Sequence, residues 1–257
     1  MSLVQVSKEG RIATITIDRQ KYLNALNAEV IMELRSAFIQ LDDIAVAIIT
    51  GAGDKAFVAG ADIASMSEMN PLQARAFVEL GQGLMQTIEA SPFITIAAVN
   101  GFALGGGLEL AISCDLIYAS ENAKLALPET NLGIIPGFGG TVRLSQKIGM
   151  HRAMEMILQG RTITAIEAKA IGLVLDVLPQ ADLLPKVKEL AQKLSKKGLM
   201  SMLAARRLVR ANASVEMEKA FLLERETFAT LFATGEPQEG MKAFMEKREA
   251  KFPWPSV

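Results

Sequence analysis

Cysteine and histidine are almost missing from this chain: Cys114 and His151 are the only ones in 257 residues. A lone cysteine excludes an intramolecular disulfide framework and any multi-cysteine zinc site, and a lone histidine excludes multi-histidine metal sites. A Ser-His-Asp triad would have to use His151, yet no G-x-S-x-G turn accompanies it. His151 follows Gly149-Met150 at the polar opening of a helix-like segment, where a surface or capping role is expected. Nor is there an excess of charge of either sign. Lys+Arg 27 against Asp+Glu 28 leaves a formal net charge of -1, so no global positive field exists to hold a nucleic-acid backbone or an anionic membrane. The first ten residues contain no apolar core of a secretory signal, which makes the cytoplasm the expected location. The longest uncharged stretch, residues 90–108, holds Pro92, Asn100, Gly101 and the Gly105-Gly106-Gly107 run, and so reads as a buried strand and a glycine turn rather than a membrane span. With metals and triads set aside, the chemistry expected is that of carboxylates and backbone amides.

What is present is apolar residue. Hydrophobic types make up 50% of the chain and mean hydropathy is +0.27, enough to bury a large core and to exclude disorder. Residues 3–7 and 12–17 alternate with β-branched types around Lys8-Glu9-Gly10, predicting an antiparallel hairpin. Asn27 reads as an N-cap, followed by Ile31, Leu34, Phe38 and Leu41 on one helix face and by a continuous apolar strand at 45–50. The plan repeats: Asn70-Pro71 opens a helix carrying Phe77, Leu80, Leu84 and Ile88, and residues 94–99 form the next buried strand. A third helix begins in the glycine run and carries Leu108, Leu110, Ala111 and Cys114, the last as a core thiol. Strand-helix-strand alternation means an α/β core. Beyond about Pro185 only helices are expected, around 186–195, 198–210, 215–232 and 237–251. Such a tail cannot extend a sheet and must cover the core or another subunit.

Three loops carry the informative residues. In 51–63, the end of a buried strand runs into small residues that let backbone N–H groups approach a ligand, although an ordinary glycine turn explains the same residues. In 100–110, three glycines precede a helix and place unpaired amide donors beside the positive end of its dipole. Neither nucleotide-binding glycine pattern occurs there, so stabilising a developing oxyanion is the better use. Glu109 stands in that helix's first turn among apolar neighbours, where it either reacts or simply complements the dipole. The third loop, 125–141, places Glu129 after Pro128 and then turns rich in glycine and proline. A single loop glutamate is usually solvated; two carboxylates in apolar sequence beside two donor loops are the pattern of an acid-base site.

These loops, Ala59-Gly-Ala-Asp-Ile63, Asn100-Gly-Phe-Ala-Leu-Gly-Gly-Gly-Leu-Glu-Leu110 and Pro128-Glu-Thr-Asn-Leu-Gly-Ile-Ile-Pro-Gly137, resemble those of the crotonase superfamily, and most closely its enoyl-CoA hydratases. Residues 159–173 and 240–248 fit the same family, so the resemblance covers nearly the whole chain. It implies a spiral of ββα units over residues 1–195, binding acyl-CoA, and a C-terminal helical region over 196–257 that builds trimers, often paired into hexamers. It implies hydration of a trans-2-enoyl-CoA to the 3-hydroxyacyl-CoA in fatty-acid β-oxidation or related acyl-CoA metabolism, with coenzyme A as part of the substrate and no separate cofactor. Glu129 would protonate the α carbon, and Glu109 would orient and deprotonate water held by the Gly137 backbone. The N–H groups of Ala61 and Gly106 would form the oxyanion hole. Coenzyme A would meet Ala25, Ala59, Asp62 and Ile63, and its adenine end Phe244 and Lys247 of the last helix, in the neighbouring subunit. Two positions depart from the family pattern: Ala64 stands where many hydratases carry a lysine for the CoA phosphates, and Leu127 where a polar residue often supports the second glutamate. Phe102, Leu108, Phe138 and residues 66–82 are candidates for shaping the acyl pocket. Isomerases of the superfamily generally lack the first glutamate, so Glu109 argues against that chemistry. An RNA-binding member would need a basic surface, for which only the helix with Arg206, Arg207 and Arg210 is available.

Overall fold

The structure, a computed structural model, describes residues 2–211 and 215–254. The predicted hairpin is β1 (Val4–Glu9) and β2 (Ile12–Ile17), antiparallel with Val4 opposite Ile17. Asn27 caps α1 (Ala28–Gln40) by accepting the Val30 N–H at 2.9 Å, and Val30, Ile31, Leu34 and Phe38 are buried at helical spacing. After β3 (Val46–Gly51), β4 (Ala56–Val58) and the single-turn α2 (Ile63–Met66) comes α3 (Pro71–Glu89). Its start is doubly fixed, because Asn70 and Gln73 exchange side-chain to backbone hydrogen bonds and Pro71 occupies the first turn, where no N–H is needed. The remaining spiral elements are β5 (Ile94–Val99), β6 (Phe102–Leu104), α4 (Gly106–Ser113), β7 (Leu116–Ser120), β8 (Lys124–Ala126) and α5 (Gly140–Ile148). Then follow α6 (Met150–Gln159), β9 (Ile163–Thr164), α7 (Ala165–Ala170), β10 (Asp176–Leu178), α8 (Gln180–Ser195), α9 (Leu199–Ala211), α10 (Met217–Leu231) and α11 (Glu236–Met245).

Among the described residues the strands form two sheets, in the orders β1-β2-β3-β5-β7-β10 and β4-β6-β8-β9. Each strand of the larger sheet from β3 to β7 is followed by one of the smaller sheet and then by a helix, which is the ββα spiral. The continuous apolar runs of β3 and β5 are explained by burial on both faces. Ala47, Ile49, Ala97 and Val99 point into the core shared with α1, α3 and α4, whereas Val46, Ile48, Ile94, Ile96 and Ala98 meet Leu183, Val187 and Ala191 of α8.

The helical tail differs from expectation at both ends. Its first helix starts at Gln180 and runs through Pro185, because Leu183 and Val187 on either side are buried against the sheet and that packing outweighs the one missing N–H. Its last helix ends at Met245 rather than near Lys251. Glu239 causes the early stop: it accepts both arms of Arg248 and the Lys251 N–H, folding residues 248–251 back along α11. Lys247 therefore lies past the helix, at a left-handed φ of 54°. A strand at 176–178 also joins the large sheet beside β7, too short to have shown an alternating pattern.

Candidate active site

The three informative loops converge because β4, β6 and β8 are parallel neighbours, and each loop leaves the carboxyl end of one of them. After β4, residues 60–62 form a short parallel bridge with Leu26, which donates to Gly60 O at 2.8 Å and accepts from Asp62 N at 2.8 Å. The Ala61 N–H takes no part in that bridge. After β6, Gly105 turns the chain at φ 49°, ψ -124° into α4, whose first N–H belongs to Gly106. Among the described residues neither of these two N–H groups has an acceptor within the chain. The amide of a helix's first turn is left free by helix geometry itself.

Glu109 is 2% exposed, and its Oε1 accepts the N–H groups of Phe138 at 2.8 Å and Gly140 at 2.7 Å. Burial pushes its carboxyl up to about 7, with the charge of Glu129 adding to the rise and the two amides and Arg143 opposing it. Glu129, 9% exposed, follows β8 in a single 3-10 turn, and burial raises its carboxyl as well. Its Oε2 is buried with no hydrogen-bond partner. A buried polar oxygen left unpaired in a folded protein is costly and marks a place that a ligand or water completes.

A cavity of about 240 Å³ brings these groups together. Ala59, Ala61, Ile63, Gly106, Glu109, Glu129 and Gly137 all line it. Ala25 and Asp62 do not line it but are tied to each other by Arg19, which donates to Ala25 O at 3.2 Å and to Asp62 Oδ2 at 2.8 Å and holds the Asp62 carboxyl below the usual range. Phe244, 84% exposed, and Lys247 do not line the cavity of their own chain. The apolar wall comes from Met66, Phe77, Val78, Leu132, Ile134, Ile135 and Phe138. Phe138 fits against Phe77 with ring centroids 5.4 Å apart. Phe102 and Leu108 are not in this wall; the first faces solvent and the second is packed in the core. Leu132, Ile134 and Ile135 escaped sequence reasoning because a loop has no periodicity to mark which apolar side chains face inward.

The other expectations fall into place away from the cavity. His151 is exposed in the first turn of α6, and Cys114 is a buried thiol pushed far up by desolvation. Ala64 is exposed, and Leu127 is fully buried. Of the candidate basic patch, Arg206 and Arg210 turn inward: both pair with Asp115, and they donate to the carbonyls of Ser91, Phe93, Glu89 and Ser113. No helix among the described residues is long and apolar enough to cross a membrane.

The family model described as enoyl-CoA hydratase/isomerase matches residues 7–254. The chain is 43% identical over 250 residues to a crotonyl-CoA hydratase of Syntrophomonas wolfei, covering 96% of both proteins. It is 41% identical over 249 residues to a short-chain-enoyl-CoA hydratase of Clostridium acetobutylicum, covering 96% of this chain and 95% of that one. Its structure is similar to that of an enoyl-CoA hydratase from Bacillus anthracis, with a TM-score of 0.94 and 37% identity over 97% of this chain and 98% of the other. With the family model spanning all three site loops and the same ββα architecture in a solved relative, the chain belongs to the enoyl-CoA hydratase/isomerase family.

Proposed function

We propose that the protein adds water across the double bond of a trans-2-enoyl-CoA, giving the 3-hydroxyacyl-CoA. The observation that carries this reading is the pairing of two buried carboxyl groups with two acceptor-less amides on one apolar cavity. Two buried carboxyls on one apolar cavity, the charge of one raising the other, favour a state in which one is protonated and the other ionised, so one is an acid while the other is a base. In the proposed reaction the thioester oxygen accepts the Ala61 and Gly106 N–H groups, which stabilise the negative charge that grows on it as water attacks. Glu109, aimed by its two amides, takes a proton from the water as the C3–O bond forms, and Glu129 delivers its proton to C2. The Gly137 backbone helps to seat that water. Atoms balance with one water consumed, the resulting exchange of protonation between the two glutamates being reset through solvent, and no metal or nicotinamide cofactor enters the scheme.

Short acyl chains are the proposed substrates, supported by the names of the two relatives and by a cavity of about 240 Å³ walled by Phe77 and Phe138. Self-association into a trimer or a hexamer is part of the same reading. Phe221, Phe228, Phe232 and Phe244 are 44–84% exposed on the C-terminal helices, more aromatic surface than a soluble monomer ordinarily leaves in water. In such an assembly Phe244 and Lys247 would meet the adenine end of a CoA held by a neighbour, by stacking and by charge. A cytoplasmic location, with no nucleic-acid or membrane partner, completes the proposal. EDTA-treated enzyme mixed with crotonyl-CoA should bleach the ultraviolet absorbance of the conjugated thioester, and no bleaching with crotonyl-CoA or longer homologues defeats the reading.

A further inference from the structure

Both hydrogen bonds to Glu109 come from one short loop, and both reach the same oxygen, Oε1. Two amides two residues apart converge on one atom only if the chain between them turns, and Gly139, at φ 105°, makes that turn. The carbonyls of this loop are held from the other side. Gly137 O accepts Gln82 Nε2 of α3 at 2.9 Å, and Phe138 O accepts Arg143 Nη1 of α5 at 2.8 Å. Arg143 is itself braced, with Nε and Nη2 donating to Glu89 Oε1 at 2.7 Å and Oε2 at 2.8 Å. The two side chains are 15% and 31% exposed, so the fork is largely shielded from water. A Cβ at Gly139 would collide with the guanidinium, so the glycine that turns the loop also admits the arginine. Neither Arg143 nor Glu89 lines the cavity.

We infer that the Arg143–Glu89 pair is a positioning device for the acid-base carboxylate, setting the 137–140 loop so that its two N–H groups aim at Glu109. The inference rests on the hydratase reading for the role of Glu109. One planar guanidinium spends three donors at once, two on a carboxylate and one on a carbonyl, which a lysine cannot reproduce. The charged groups around Glu109 and its brace are Glu129 from the turn after β8, Arg143 from α5, Glu89 from α3 and Lys147 of α5, which acts on Glu89; β4 and β6, which also pack on α4, present none. Freeing the loop misaligns two hydrogen bonds to the carboxylate and withdraws a favourable positive charge, and both changes make Glu109 harder to ionise.

The test compares full-length wild type with Arg143→Gln, Arg143→Lys and Glu89→Gln on crotonyl-CoA across pH, with melting temperature as a control for folding. Arg143→Gln is expected to lower kcat roughly tenfold to a hundredfold, the range for a reacting group displaced by up to an ångström, with KM changed much less. The ionisation of Glu109 seen in kcat/KM should move to higher pH. Arg143→Lys should lose kcat too, and Glu89→Gln should lower kcat by less at little-changed KM, with a smaller movement of the pH profile because the lost anion offsets the lost alignment. A folded Arg143→Gln with wild-type kcat and an unmoved pH profile overturns the inference, as does full rescue by lysine, which would leave charge alone as the cause. If Arg143→Gln does not fold, Glu89→Gln decides by kcat against KM: a loss of kcat at little-changed KM supports the inference, and wild-type kcat overturns it. Wild type inactive on every enoyl-CoA sinks the hydratase reading instead. In that event carboxyl ¹³C NMR of Glu109 in wild type and Arg143→Gln still decides whether the pair controls its ionisation.

Discussion

The carboxylate of Glu129 occupies space that Gly105 leaves by having no side chain. A Cβ there would come within 2.8 Å of Glu129 Oε1, and the glycine's backbone, φ 49° and ψ -124°, lies in a region closed to L side chains. The same residue precedes the Gly106 amide. One glycine thus sets the distance between the carboxyl and the donor on which the proposed chemistry relies. Gly105→Ala is expected to cost about 1–3 kcal/mol from backbone strain and to lower kcat at least tenfold by displacing Glu129. Denaturant unfolding and steady-state kinetics of the one variant check both effects.

Glu109→Gln and Glu129→Gln should each lower kcat by about a hundredfold or more, the usual range for acid-base groups, with smaller changes in KM. Near-normal kcat in either variant moves that residue to a structural role.

Stability should respond to pH through Glu109. Its carboxyl is raised from an ordinary value of 4.5 to about 7 in the folded protein, so between these values the native state binds more protons than the unfolded one. Stability therefore falls as pH rises through that window. Glu109→Gln removes this titrating group. Relative to wild type, the variant should gain on the order of 1–3 kcal/mol between pH 5 and pH 8, measured as the change in the urea-unfolding difference. A difference that stays flat with pH contradicts a raised carboxyl.

Asp115 is the anchor of the tail. Its side chain is 8% exposed and meets Arg210 at 2.8 Å, Arg206 at 3.4 Å and the Thr95 N–H at 2.8 Å. Asp115→Ala leaves two shielded arginines without their counter-charge and should destabilise the protein by about 3–5 kcal/mol in urea titrations. Since Arg206 and Arg210 are engaged internally, no electrophoretic shift with RNA is expected at physiological salt.

Deleting residues 241–257 removes Phe244 and Lys247 but touches no cavity residue. The expected result is a raised KM for acyl-CoA and a lower mass by light scattering. A stable full-length monomer, or a truncation with unchanged KM and mass, refutes the account of the tail.

Local pattern alone determined much of this protein. Asn27 and Asn70-Pro71 announced two helix starts because capping is satisfied by residues within one turn, and the apolar runs at 45–50 and 94–99 announced strands covered on both faces. The glycine run before α4 and the two glutamates in apolar sequence were legible too, since their chemistry is written in residue type. The tertiary structure decided which of these meet. Glu109 and Glu129 share a cavity only because β6 and β8 are parallel neighbours, and strand order has no signature within a single strand. The bracing of the site was equally invisible: Arg143 lies 54 residues from Glu89 and Phe138 lies 29 from Glu109, so nothing short of the packed fold brings either pair together. The ends of the tail helices were likewise settled by distant partners, the sheet beneath Leu183 and Val187 for α8 and the reach of Glu239 to Arg248 for α11. Local hydrogen bonds choose the elements, while burial and charge pairing between elements choose where they stop and what they hold.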